Sequence, residues 1–68
     1  MKYTIVKNTK KGENLTTETW TGQEWSINEM RMIKKTFGFE TVEVSYNVLI
    51  MQGYLGDTYH QWVFIDEE

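Results

Sequence analysis

Along Lys2 to Thr9 (KYTIVKNT) the side chains alternate: Tyr3 and Ile5 fall on one side, Thr4 and Val6 on the other. A period of two with several β-branched residues predicts a strand. Lys10 to Asn14 (KKGEN) carries the Gly and Asn of a hairpin turn. Leu15 to Thr21 (LTTETWT) follows with four threonines and Trp20, residues that suit a pleated surface. Gly22 is expected to end this second strand.

The period then changes. Ser26-Ile27-Asn28-Glu29 fits a capping box, in which Ser26 accepts from the Glu29 N–H and Glu29 reaches back to the Ser26 N–H. With Ser26 as N-cap, Trp25 and Met30 occupy the two positions of a hydrophobic staple. At about 100° per residue, Ile27, Met30, Ile33 and Phe37 form one stripe and Met32 falls opposite. Lys34 and Lys35 lie where cations favour the negative end of the helix dipole, and Gly38 suits the position after the last turn. A helix over Ile27 to Phe37 is predicted.

Phe39 to Gln52 (FETVEVSYNVLIMQ) alternates again. Val42, Val44, Tyr46, Val48 and Ile50 share one face, expected to meet the helix, with Leu49 and Met51 opposite. Gly53 to Asp57 (GYLGD) reads as a loop and Thr58 to Glu67 as a last strand. The expected fold is therefore α+β, ββαββ: a four-stranded, mainly antiparallel sheet with one helix on one face, in a single domain over residues 1–68.

One short helix covers one face of such a sheet. The last strand is apolar on both sides, Tyr59, Val63 and Ile65 on one and Trp62 and Phe64 on the other. Hairpin register decides which set meets the helix. Either way an apolar set is left over, expected to include Leu49 and Met51 with Trp62 and Phe64. An exposed apolar patch on a small chain marks a partner surface unless loops or strand curvature cover it. Trp20, and Tyr54 and Leu55 at the expected loop tip, are further candidate contacts. Each has a structural alternative, Trp20 packing beside Trp25 under the helix start and the loop residues tucking inward.

Composition narrows the chemistry. The chain has no cysteine and one histidine, so neither a disulfide nor a Cys- or His-rich metal site is available. His60, flanked by Tyr59 and Gln61 on a strand, reads as a structural side chain. The glycines form no nucleotide-binding pattern and the acids no calcium-loop spacing. We therefore expect a non-enzymatic module without metal or cofactor. No apolar run is long enough for a signal peptide or a membrane span, which predicts a cytoplasmic protein that does not engage a membrane.

The net charge of -3 is unevenly spread. All seven Lys and Arg lie in residues 1–35, whereas residues 36–68 hold six acids and no Lys or Arg. Two halves folded side by side account for this, and so does an acidic half that imitates phosphate. Lys7, Lys10 and Lys11, with Arg31, Lys34 and Lys35, are candidate phosphate contacts in a nucleic-acid reading, although a footprint of that kind is normally basic overall. The leading expectation is contact with a protein partner or a second copy (a homodimer) through the sheet face away from the helix.

Overall fold

The computed structural model describes residues 2–45 and 47–67, and side chains there except those of residues 27 and 42–45. The elements are β1 (Lys2–Lys11), β2 (Asn14–Glu24), α1 (Ile27–Phe37), β3 (Glu40–Ser45), β4 (Val48–Leu55) and β5 (Thr58–Asp66). The strands form one five-stranded sheet in the order β2-β1-β5-β4-β3, every neighbouring pair antiparallel.

The α+β class stands, with five strands in place of four and ββαβββ in place of ββαββ. The alternating stretch 39–52 is two strands, because the chain turns between Ser45 and Val48. Each hairpin reverses the chain, so the extra turn inverts β5 relative to a four-stranded arrangement. It lets β5 pair antiparallel with β1 at the centre of the sheet.

α1 spans the expected residues. The Ser26 side chain accepts from the Glu29 N–H at 3.2 Å, and the Ser26 N–H donates to the Glu29 carboxylate at 2.8 Å. Gly38, at φ 69, closes the helix, and the Phe39 N–H donates back to the Lys34 carbonyl at 3.0 Å. That bond is the longer of the two in a Schellman ending, which turns the chain down towards the sheet. Phe39 is thereby set into the core.

The core lies between α1 and the sheet. Tyr3, Ile5, Met30, Phe39, Met51 and Phe64 are buried, and Trp25, Ile33, Leu49 and Trp62 pack against them. Register explains the membership. Ile5 pairs with Phe64 and Phe64 with Leu49, while Trp62 pairs with Met51, so all five point to the helix side. This corrects the face assignment of the fourth strand: Leu49 and Met51 meet the helix, whereas Val48 and Ile50 point away. Helix and sheet axes need about 10 Å of filling, and Met, Leu and aromatic side chains reach across where Val does not. The expectation for Tyr46 lies outside the described residues, as do those for the side chains of Val42 and Val44.

Two glycines depart from their expected roles. Gly22 does not end β2; the β1–β2 register shifts between Tyr3 and Ile5, and Gly22, at φ 65, lies in the bulge on β2. Its N–H is taken by the Glu67 carboxylate at 2.9 Å, which ties the end of the chain to the bulge. Gly53 lies within β4 rather than a loop, under the Phe39 ring; a Cβ there would stand 2.7 Å from Cδ1 of that ring. The turn itself is only Gly56-Asp57, a two-residue hairpin closed by Leu55 and Thr58, and Gly12-Glu13 closes β1–β2 in the same way. Each has glycine at positive φ in the first central position, as a type II′ turn requires.

Candidate interaction surface

The register of the five strands generates the outward face row by row. One row runs Thr4–Ile65–Val48, and the next Thr19–Val6–Val63–Ile50. Val6, Val48, Ile50, Val63 and Ile65 are therefore adjacent, and each is only partly buried. Among the described residues the one helix lies on the opposite face. β-Branched side chains packed edge to edge give a shallow apolar surface on a stiff backbone.

The third row is polar and bonded throughout. Thr17 Oγ1 donates to Asn8 Oδ1 at 2.8 Å, and Asn8 Nδ2 donates to Gln61 Oε1 at 3.0 Å. Gln61 Nε2 donates to Gln52 Oε1 at 3.5 Å, and that oxygen also accepts from the Tyr59 hydroxyl at 2.7 Å. The chain of bonds crosses β2, β1, β5 and β4. A slip of any strand by one residue would break it, so the row holds register on a face that has no core to do so. Beyond it come Leu15, Lys10, Tyr59 and Tyr54, with the two tyrosine rings 5.3 Å apart. Apolar rows bordered by a polar row match the layout of a protein interface.

Of the residues expected to line this face, Tyr54 is there and is 70% exposed. Met51 and Phe64 are each 1% exposed within the core, and Leu49 and Trp62 pack against it. These four are corrected to core positions: the bulkier members of β4 and β5 were drawn to the helix. Leu55 sits at the helix-side end of β4, and Trp20 pairs with Ile5 on the helix side of β2, 38% exposed. The outward set of Val6, Val48, Ile50, Val63 and Ile65 was not singled out. On β4 and the second half of β5 the signal that finds it is residue shape, β-branched on one parity and long or aromatic on the other; on β1, where Ile5 and Val6 are both β-branched, pairing with β5 decides.

On the helix side, Trp25 lies 6.0 Å from Trp62 and 5.6 Å from Phe64, ring centre to ring centre. The ammonium of Lys7 stands 5.2 Å over the Trp62 ring, a cation–π contact. Glu24, Trp25, Glu29, Met32 and Ile33 line a shallow open cleft of about 330 Å³. His60 is half-buried, its ring stacked on Phe39 at 6.1 Å, which itself stacks on Phe37 at 5.3 Å.

The candidate phosphate contacts are divided. Lys7 and Lys11 project to the helix side of β1 and Lys10 to the outward side, while Arg31, Lys34 and Lys35 are exposed on α1. By register Lys7 stands opposite Glu18 and Lys2 opposite Glu24 on β2.

No family model, curated protein or solved structure matches this chain. Among the described residues no helix is long and apolar enough to cross a membrane.

Proposed function

We propose that this chain is a non-enzymatic protein-interaction module that docks a protein partner on the sheet face away from α1. One observation carries the reading: five aliphatic side chains from β1, β4 and β5 lie side by side on a face that no described helix covers. Removing such a surface from water yields about 25 cal/mol per Å² of apolar area, and the register-locked backbone loses little freedom on docking. The polar row supplies hydrogen-bonding groups at the border and with them directionality.

The test is a differential capture. Wild type and Ile50→Lys are used as bait in extracts of the native host, after circular dichroism shows that both fold. A partner retained by wild type and lost by Ile50→Lys is the expected result, because a lysine at the centre of the patch has no counter-charge. Equal capture by both baits overturns the reading. Oligonucleotide titration at two salt concentrations runs in parallel. Tight binding that weakens steeply with salt would move the assignment to a nucleic-acid module using the β1 and α1 cations, since phosphate contacts release counterions.

A further inference from the structure

We propose that β2 pairs edge to edge, antiparallel, with β2 of a second copy of this chain, with the two-fold axis midway between Thr17 and its copy. The sheet has two edges, and they are built differently. β3 is six residues long, carries Glu40 and Glu43, and breaks register between Glu43 and Ser45. Short length and irregularity are among the devices that protect an edge from adding a strand. β2 is eleven residues long and carries two acids, Glu18 and Glu24, as β3 does, but it stays in register over the whole run from Asn14 to Trp20. Every residue on it except Gln23 is exposed.

The backbone sets the register. Lys11 and Asn14 close a two-residue hairpin and so exchange both of their hydrogen bonds. The alternation of an antiparallel ladder then turns the N–H and C=O groups of Asn14, Thr16, Glu18 and Trp20 towards β1. Those of Leu15, Thr17 and Thr19 point off the sheet. Pairing centred on Thr17 matches Thr17 with its copy and Leu15 with Thr19 of the copy, which uses all three. Centring on Glu18 would set two carboxylates directly opposite each other. Centring on Thr19 would run the strand into the bulge at Gly22, and centring on Thr16 leaves Thr19 unused.

In the Thr17 register no like charges meet. Glu18 faces Thr16 of the copy. Threonine pairs of this kind are favourable across strands. The contact is narrow, below the roughly 1,200 Å² of a standard interface, so the dimer is weak and forms with rising concentration. The axis stands perpendicular to the sheet, so the two outward faces come to lie on one side of a ten-stranded sheet. The pairing does not depend on what those faces bind.

Because the chain lacks cysteine, Thr17→Cys introduces a single thiol. Directly opposed residues of this kind have Cα atoms about 5.5 Å apart, within disulfide reach. A cysteine replacing Leu15 would lie roughly 14 Å from its copy, beyond reach. Under mild oxidation Thr17→Cys is expected to cross-link into a dimer and Leu15→Cys to stay monomeric; both linking, or neither, overturns the register. Sedimentation across a concentration series should show wild type rising towards twice the monomer mass and Thr17→Pro remaining monomeric, since the lost N–H points off the sheet. A dimer that survives Thr17→Pro but is lost in Ile50→Lys rejects the edge and assigns self-association to the outward face. A wild-type chain that stays monomeric near millimolar concentration rejects the edge while leaving partner docking intact.

Discussion

Gly53 shows how one hydrogen atom is a structural requirement. Phe39 leaves the helix ending directly above β4, and its ring rests on the backbone where a side chain would otherwise stand. An aromatic laid over a strand glycine covers backbone that would otherwise be wet, and it links α1 to β4. Gly53→Ala is therefore expected to destabilise the fold by about 1–3 kcal/mol through overpacking. Urea denaturation with an unchanged slope measures it. Phe39→Leu in the same background should cost less than the sum of the two single changes, because the clash disappears with the ring. An additive pair would show that the ring and the glycine do not interact.

Elements begin and end where local chemistry dictates. α1 opens on a reciprocal pair of hydrogen bonds between Ser26 and Glu29, and Trp25 just before it packs on Trp62 and Phe64. The cap and the aromatic anchor together aim the helix across the sheet. Ser26→Ala should cost about 1 kcal/mol, with Ser26→Asp close to neutral because its carboxylate accepts the same N–H. Thermal unfolding followed at 222 nm distinguishes the two; equal losses would mean that the cap contributes nothing beyond side-chain size. The strands are less self-sufficient. β2 is exposed along nearly its whole length and holds its shape through β1, whereas β5 has neighbours on both sides.

The whole molecule is elongated, 35 × 22 × 19 Å, with a radius of gyration of 11.9 Å. A compact chain of this length is expected near 10.9 Å, so the sheet extends past what the helix covers. A chain this small buries only about 60% of its unfolded surface, and without disulfides its stability rests on a few large side chains. Phe64, Ile5 and Met51 are the largest fully buried ones described, and they come from the three central strands β5, β1 and β4. Amide exchange should follow that centre. β1 and β5 exchange most slowly, by global opening, whereas Leu15, Thr17 and Thr19 exchange fastest in dilute solution. Rapid exchange at Ile5 or Phe64 would mean that the stable unit lies elsewhere.

The helix was readable to the residue because its determinants are contiguous: a cap, a 3.6-residue stripe and a terminal glycine all act within fourteen residues of one another. The hairpin turn at Gly12 and the strand character of β1, β2 and β5 were legible for the same reason, whereas the turn at Gly56 was legible only as a wider loop over Gly53 to Asp57. The strand count was not, since period-two alternation continued in phase through the turn between Ser45 and Val48 and hid it. Nor was the face of β4, because parity within a strand is local while the choice of which parity meets the helix is settled by pairing with β5. That choice sent Leu49, Met51, Trp62 and Phe64 inward and left Val6, Val48, Ile50, Val63 and Ile65 outside. The amino-acid order thus determined the pieces and the excess of apolar side chains over what one helix hides. Only tertiary packing decided which side chains are in excess, because filling the space between helix and sheet selects by reach among residues of equal hydrophobicity.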